Sequence, residues 1–387
     1  MTLAIVAEIV AATSFAVWLG LAGGRGLFWL GGEREEGKIP SPITWPRVAV
    51  VVPARDESES IAASIGSLGC QQYGGDWKIV LVDDNSSDGT SRIAVEAASE
   101  AGAADRLALV KGLPLPAGWT GKLWAVKQGI AAALAEDNPP KYLLLTDADI
   151  VHAPSVLSRL VARAEADGLV LTSLMAKLRC ESFAERSHVP AFIFFFQMLY
   201  PFAWVNRPDC ATAAAAGGCM LVRADALSEA GGIDAIRNAL IDDCALARTL
   251  KARGRIWLGL TERVRSVRPY PGIRDVGSMI SRSAYAQLRY SPLALSAMMA
   301  VMGTTYLAPP LLAIFAGGAA RILGILSWAL MAMLFQPTLK FYRLSPLWGA
   351  ALPAISLSYM LFTFDSALQF ARGRGGLWKG RAQAAGP

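Results

Sequence analysis

The sequence has few of the residues on which metal centres and disulfide scaffolds depend. It contains two histidines and five cysteines among 387 residues, and no two cysteines form a CxxC pair. This scarcity argues against a histidine-based metal centre, a zinc site and a secreted disulfide-rich domain, because each needs several such residues at close spacing. Thiols without paired spacing fit a reducing compartment.

Charge is also scarce, and it is unevenly distributed. Charged residues make up 18% of the chain and hydrophobic residues 53%, whereas soluble domains carry about 25% charge. Between Glu33 and Tyr290 the numbers of basic and acidic residues are equal, so the formal net charge of +6 lies in the flanks, on the C-terminal side. A neutral middle part offers no electrostatic footprint for a nucleic-acid backbone, and we expect no nucleic-acid partner.

The two ends contain long apolar runs. Leu3 to Ala22 carries one charge, Glu8, and is long enough to cross a membrane. Leu293 to Leu339 has room for two spans, and Ser345 to Ala371 is a third candidate. These runs predict a multi-pass membrane protein with a soluble middle domain.

The distribution of basic residues predicts an orientation. Arg25, Arg34 and Lys38 follow the first apolar run and nothing basic precedes it. The positive-inside rule then places the middle domain in the cytoplasm. We expect the protein in the inner membrane. Three C-terminal spans would place the basic tail outside, against the same rule, so either one segment does not cross or the tail charges are overridden.

A further charge-free stretch lies inside the middle part. Val189 to Val205 contains many aromatic residues and two prolines, Pro190 and Pro201. Its length is near the lower limit for a span, which favours a helix at the membrane surface or a segment that lines an acceptor site. A buried core helix is the alternative.

The middle part alternates between strand and helix patterns. Arg47 to Pro53, Lys78 to Val82, Ala108 to Val110 and Tyr142 to Thr146 are continuous apolar runs, typical of strands buried on both faces. Helical patterns lie between them. This alternation predicts an α/β fold with a mostly parallel sheet and helices on both faces.

Acidic residues follow three of these strands. They are found in the segments 55–57, 83–86 and 147–149, and ligands bind at the carboxyl ends of parallel strands. Asp147 and Asp149 point the same way in extended chain, and such oxygen ligands suit Mg²⁺ or Mn²⁺. His152 could face this metal, although a packed histidine is the simpler interpretation. Three carboxylate clusters would repel one another unless a metal or basic groups lay among them.

Together these motifs resemble those of membrane-bound family 2 glycosyltransferases with the GT-A fold, and most closely those associated with hopanoid biosynthesis. The segment 53–57 resembles the motif PxxNE, 83–90 matches DDxSxDxT, 121–129 matches GKxxAxxxG and 147–149 matches DxD. The segment 242–254 resembles EDxxLxxxLxxxG with Asp242 in place of Glu, and 287–290 resembles QxxRW only loosely.

The resemblance implies a role for individual residues. Asp243 would be the catalytic base, and Asp149 with Asp147 would bind Mg²⁺ or Mn²⁺. The donor-binding residues would be Pro53, Arg55, Glu57, Asp84, Lys122, Asp147 and Arg289, and the acceptor side would contain Asp242, Gly218 and Phe195.

The implied activity is an inverting transfer of a sugar from a nucleotide sugar, with UDP as the expected nucleotide, to a membrane lipid such as a hopanoid. A processive polysaccharide synthase and a non-catalytic membrane scaffold are the alternatives. The expected divisions are an N-terminal anchor (1–30), a cytoplasmic GT-A domain (43–290) that includes the aromatic segment (189–205), a C-terminal membrane region (291–371) and a basic tail (372–387).

Overall fold

The computed structural model describes residues 2–378 and 381–382. The last part of the predicted basic tail, including Lys379, lies outside these residues. The described strands are β1 (Val48–Ala54), β2 (Trp77–Asp83), β3 (Leu107–Lys111), β4 (Tyr142–Leu145), β5 (Ile150–His152), β6 (Leu169–Lys177), β7 (Met220–Arg223), β8 (Arg255–Ser266), β9 (Leu377–Trp378) and β10 (Arg381–Ala382). The first four coincide with the predicted strands to within one or two residues.

The α-helices fall into two groups, one around the sheet and one at the chain ends. They are α1 (Thr2–Gly24), α2 (Ile61–Gly69), α3 (Thr90–Glu100), α4 (Gly121–Leu134), α5 (Val156–Asp167), α6 (Phe183–Leu199), α7 (Phe202–Val205), α8 (Ala224–Glu229), α9 (Asp242–Lys251), α10 (Ile273–Gln287), α11 (Pro292–Met302), α12 (Ala308–Phe315), α13 (Gly318–Phe341) and α14 (Leu352–Ala371). A π-helical turn, Gly303–Leu307, joins α11 to α12.

Eight strands form one sheet in the order β3-β2-β1-β4-β7-β6-β8-β5. Six strands run in one direction, and β7 and β5 run opposite to them. The mostly parallel α/β sheet predicted from the sequence is therefore confirmed. Every residue of β1 is buried, because helices cover both faces of the central strands.

Alternate residues of β1 belong to two separate cores. Ala49 and Val51 face the core that α4 and α9 cover, whereas Val50 and Val52 face the core that α2, α3 and α5 cover. This period-2 division explains why the strand has no polar residue, since neither face reaches water.

Four helical segments are long and apolar enough to cross a membrane, by length and composition alone. They are Leu3–Gly24, Pro292–Phe315, Gly318–Phe341 and Pro346–Ala371. Among the described residues, this agrees with the one N-terminal and three C-terminal candidates predicted from the apolar runs. How each of them is oriented in a bilayer stays a prediction.

A third core lies where these apolar helices meet the sheet domain. Trp18 of α1, Phe194 of α6, Val276 of α10 and Phe335 of α13 are all fully buried there. The Trp18 indole also donates to the carbonyl of Thr305 in the π-helical turn, at 2.8 Å. The apolar helices are therefore packed directly against the domain that carries the acidic clusters.

Candidate functional site

The acidic segments predicted to meet at the sheet edge do so because their strands are parallel neighbours. Ala54 at the end of β1 is paired with Asp83 at the end of β2, and Val51 is paired with Leu145 at the end of β4. The carboxyl ends of all three strands therefore open on the same edge of the sheet, where ligands bind in folds of this class.

One group of side chains at this edge surrounds a lysine. Lys122 lies in the first turn of α4, and its Nζ is 2.8 Å from Asp147 Oδ1 and 3.1 Å from Asp242 Oδ2. Burial alone would lower the pKa of Lys122, but the carboxylates of Asp147 and Asp242 outweigh it and raise the pKa. We call Lys122, Asp147, Asp242 and Asp243 the Lys122 cluster. It joins the DxD segment to the start of α9.

Asp243 is a member of this cluster whose carboxylate is held by two backbone groups. Its Oδ2 accepts a hydrogen bond from the backbone N–H of Gly217 at 3.0 Å, and its Oδ1 accepts one from Cys244 at 2.7 Å. Burial and the neighbouring Asp242 raise the pKa of Asp243 from its ordinary 3.8 to about 6, although Lys122 opposes the shift. A carboxylate with this pKa is suited to accept a proton near neutral pH.

A second group surrounds an arginine that the sequence analysis missed. Arg268 follows β8, and its Nε donates to Asp149 Oδ2 at 2.6 Å, while one terminal nitrogen lies 2.7 and 2.8 Å from the two oxygens of Glu57. Burial alone would lower the pKa of Arg268, and the two carboxylates raise it instead. We call these three residues the Arg268 cluster. The sequence contained one indication of such a residue. The carboxylates at the three strand ends would repel one another unless a positive charge from another part of the chain lay among them.

Tyr270 is a second residue that the sequence analysis missed. Its backbone N–H donates to Glu185 Oε1 at 2.7 Å, and its carbonyl accepts from Ser182 at 3.0 Å, which ties the segment after β8 to the start of α6. Burial raises the pKa of Tyr270, and the negative charge of Asp149 adds to the shift. The Tyr270 side chain is therefore close enough to the Arg268 cluster to sense its charge.

The end of β2 forms a separate recess beside these clusters. Asp84 is buried, and its carbonyl accepts from Arg55 Nη1 at 2.5 Å. Asp56 has a positive φ of 49° and accepts from the backbone of Ser87 at 2.8 Å, so the predicted PxxNE and DDxSxDxT segments are in contact. The recess is lined by Asp83, Asn85, Ser86, Ser91, Leu109 and Lys111.

Pro53 and Gly218 lie close to the Lys122 cluster. Pro53 lines the cleft that contains Lys122 and Asp242. The Gly218 carbonyl accepts from Thr146 Oγ1 at 2.8 Å, and a Cβ on Gly218 would lie 3.1 Å from the Ile150 side chain. The lack of a side chain thus lets this backbone approach the DxD segment.

Arg289 is placed differently from the expected donor contact. It follows the end of α10 with a positive φ of 52°, and its side chain is exposed. Gln287 instead donates to the Tyr200 hydroxyl at 2.6 Å. Burial raises the pKa of Tyr200 to about 12, with smaller contributions from Cys244 and Asp243. The loosely matched QxxRW segment therefore reaches the base side of the cleft through Gln287.

The aromatic segment is a buried helix, which was the alternative to a surface helix. The Phe195 ring lies edge-on to Tyr306 and Tyr359, at centroid distances of 5.7 and 4.8 Å. Phe194 is fully buried between Phe28 and Phe335. Phe195 is thus enclosed by the apolar helices and does not line the cleft, because α6 joins the sheet domain to them.

His152 is packed away from the carboxylates. Its ring is buried, with Nε2 3.5 Å from Thr146 Oγ1, and burial alone lowers its pKa to about 4. Among the residues that the structure describes, no group of three or more His, Cys, Asp or Glu side chains could hold a metal ion. Asp147 and Asp149 nevertheless fit Mg²⁺ or Mn²⁺, because such ions take one or two carboxylates and complete their shell with substrate phosphates and water.

Comparison with known proteins agrees with this geometry. The sequence profile named "Glycosyl transferase family 2" matches residues 49–231, so this segment is similar to family 2 glycosyltransferase domains. Undecaprenyl-phosphate 4-deoxy-4-formamido-L-arabinose transferases from Salmonella paratyphi B and Salmonella newport are 27% identical over 143 residues, or 36% of this chain. The match spans 40% of the length of these relatives.

A solved structure extends the likeness to the apolar helices at the two ends of the chain. The mannosyltransferase PcManGT from Pyrobaculum calidifontis, in complex with GDP-Man and Mn²⁺, has a TM-score of 0.55 and 18% identity. The alignment covers 94% of this chain and 99% of that one. The fold is therefore of the GT-A type, with apolar helices at both ends.

Proposed function

We propose that the protein transfers a sugar from a nucleoside diphosphate sugar to a hydroxyl group of a membrane lipid, with inversion at the anomeric carbon. The observation that carries the proposal is the Asp243 carboxylate. It lies at the sheet edge beside Lys122, and its pKa of about 6 suits a general base.

The donor side of the proposal rests on the strand ends. The recess beyond β2 offers Asp83, Asn85 and neighbouring polar groups to a nucleoside, next to the buried Asp84, with UDP as the expected donor nucleotide. Lys122 supplies positive charge next to the Asp147 carboxylate. A divalent cation at Asp149 and Asp147 would stabilise the charge of the departing diphosphate.

Inversion follows from a single displacement with one base. The acceptor hydroxyl attacks the anomeric carbon as Asp243 takes its proton, and the bond to the diphosphate breaks. The free lone pairs of the Asp243 carboxylate would take this proton, because each of its oxygens already accepts one backbone N–H. These two hydrogen bonds hold the carboxylate in one orientation, as a base requires.

Two observations support a lipid as the acceptor. The third core packs the apolar helices against the helix α6 that leads to Tyr200 and the base side of the cleft. The Salmonella relatives are named for undecaprenyl phosphate. The proposed setting is accordingly the inner membrane, with the GT-A domain on its cytoplasmic side.

A lipid hydroxyl and a lipid phosphate differ in whether they need a catalytic base. A phosphate is already ionised near neutral pH, since its second pKa is about 6, and it needs no base to attack. A hydroxyl does need one. The raised pKa of Asp243 therefore favours a hydroxyl acceptor, and a hydroxylated hopanoid is the acceptor that the motif resemblance indicates.

The test is a donor and acceptor screen with the full-length protein in detergent. UDP-sugars and GDP-sugars are offered with Mn²⁺ to a hydroxylated hopanoid and, separately, to undecaprenyl phosphate, and the products are identified by mass spectrometry. Glycosylated hopanoid, absent with Asp243→Asn, supports the proposal. Transfer to undecaprenyl phosphate alone would contradict it.

The same screen separates the alternative functions. Products with one sugar contradict a processive synthase, which would give a ladder of lengths. A non-catalytic scaffold would give no product with any pair. Calorimetric titration with UDP and Mn²⁺ would then show whether the nucleotide site has been lost.

A further inference from the structure

The Arg268 cluster places a fixed cation where a metal ligand is expected. Asp149 Oδ2 accepts from Arg268 Nε at 2.6 Å, and the same guanidinium holds both oxygens of Glu57. Asp149 and Glu57 are both largely buried, with 9% and 8% of their surfaces exposed. Water therefore does little to screen a second positive charge brought to the same place.

A divalent cation at Asp149 would meet this guanidinium at close range. Both groups are positive, so binding the metal to the resting protein must either displace Arg268 or bear the repulsion. A bound diphosphate removes this conflict, because its negative oxygens attract both the metal ion and the guanidinium. The fork of an arginine suits phosphate as well as carboxylate, since it presents several donors in one plane.

We propose that Arg268 is a charge gate that makes metal binding at Asp149 depend on a nucleoside diphosphate. In the absence of the nucleotide, Arg268 neutralises Asp149 and keeps the metal affinity low. When the diphosphate is present, the Arg268 Nε–H turns from Asp149 to a phosphate oxygen, while the terminal nitrogen keeps Glu57. This proposal rests on the metal-assisted function proposed above.

The proposed role of Arg268 differs from that of Lys122 in the neighbouring cluster. Lys122 bonds to Asp147 and Asp242, and a lysine is a point charge without a second fixed donor direction. Arg268 instead joins Asp149 to Glu57, a carboxylate from another strand end. Because coupling is reciprocal, Mn²⁺ and the nucleotide must raise each other's affinity by the same factor.

The experiment measures Mn²⁺ binding by electron paramagnetic resonance on the full-length protein in detergent, with and without UDP. For the unaltered protein we expect UDP to raise Mn²⁺ affinity by about 5–150-fold, the usual range of coupling. Arg268→Gln should bind Mn²⁺ more tightly than the unaltered protein when UDP is absent. In this variant UDP should therefore raise the Mn²⁺ affinity by a much smaller factor. A merely structural role would not strengthen metal binding.

Two further variants keep the test decisive. Arg268→Lys retains a positive charge beside Glu57, but one ammonium group cannot present the planar set of donors of a guanidinium. The factor by which UDP raises its Mn²⁺ affinity should therefore be intermediate. Arg265→Gln is the control and should leave the factor unchanged. Arg265 is an exposed residue of β8, the strand that precedes Arg268, and its Nε donates to the Glu262 carbonyl.

The outcomes separate the gate from the function on which it rests. Equal Mn²⁺ affinity with and without UDP in the unaltered protein, or full coupling in both Arg268 variants, overturns the gate and leaves the transferase proposal standing. No Mn²⁺ binding by any variant, even with UDP, overturns the metal-assisted function and the gate together.

Discussion

The two cation-centred clusters at the sheet edge hold their carboxylates in different ways. Lys122 is part of a motif in the continuous sequence and contacts Asp147 and Asp242 from the start of α4. Arg268 arrives after β8, from beyond the matched family segment, and crosses between Glu57 and Asp149. One cluster therefore contains the proposed base together with Asp147, and the other contains Asp149, the second proposed metal ligand. The comparison suggests that the proposed base and Asp149 depend on separate counter-charges.

The largest effect that this division predicts is on turnover. Asp243→Asn should lower turnover by about 10²–10⁴-fold, the usual contribution of a general base, because an amide cannot take the proton. Steady-state transfer rates measure the loss, and UDP binding should be almost unchanged, since the Arg268 cluster is intact.

Asp242→Asn is the matched control for this change. Asp242 contacts Lys122 and is assigned a supporting role, so its replacement should cost less. If Asp242→Asn were inactive while Asp243→Asn kept more than about a tenth of the rate, the base would be Asp242. Activity in both variants would show that these residues serve only to stabilise the start of α9.

The next effect concerns stability and tests whether the Lys122 cluster needs its cation. Lys122→Met removes the charge that faces Asp147, Asp242 and Asp243. Breaking a fully buried ion pair lowers the free energy of unfolding by about 3–5 kcal/mol. The Lys122 side chain is 22% exposed, so we expect a smaller loss of about 2–3 kcal/mol. Thermal unfolding in detergent measures the change.

Lys127→Met provides the comparison for that measurement. Lys127 lies on the same helix and pairs with Asp234 at 2.5 Å, but both side chains are substantially exposed. Exposed pairs contribute about 0–1 kcal/mol, so this variant should melt close to the unaltered protein. Equal losses in the two variants would contradict a special role for Lys122.

The contrast between the clusters also marks what sequence reasoning could predict. The strands and the DxD, GK and DD segments are local patterns, and apolar runs such as 47–53 identify a doubly buried strand without further information. The carboxyl ends of parallel strands lie at one edge by geometry, so the placement of Asp84, Asp147 and Glu57 along the same edge was predictable. The count of four apolar segments followed from length and hydropathy alone.

Arg268, Tyr270 and the placement of Phe195 depend on contacts between distant parts of the chain. Arg268 follows a long strand without a motif, and only the repulsion among the strand ends indicated that such a residue was needed. A charge-free aromatic segment looks the same whether it faces lipid or a protein core. Phe195 is buried because the apolar helices pack on α6, and that packing is not encoded locally.

A smaller effect concerns pH. The pKa of Asp243 is about 6, so kcat/KM should fall by about tenfold per pH unit below that value, as the base becomes protonated. Lys122 lowers the pKa of Asp243. In Lys122→Met the fall in kcat/KM should therefore begin at a higher pH. A profile that is flat down to pH of about 4 would contradict the assignment.

The same shift sets the sign of a stability effect. In the folded protein the pKa of Asp243 is raised to about 6, above its ordinary 3.8. Between these values the folded state binds more protons than the unfolded state, so this group makes stability fall as pH rises through the window. Asp243→Asn should abolish that contribution, which thermal melts across the window would show.

The smallest effect is expected at His152, and it tests whether the metal side of the cleft extends beyond Asp149. The ring is buried, burial alone lowers its pKa to about 4, and Nε2 lies 3.5 Å from Thr146 Oγ1. His152→Gln should therefore leave Mn²⁺ affinity in the presence of UDP nearly unchanged. Even the outer partners of metal ligands cost about 10–100-fold when they are replaced, so a titration can separate the two cases clearly. A loss of that size, with the melting temperature preserved, would add His152 to Asp147 and Asp149 as a third residue on the metal side.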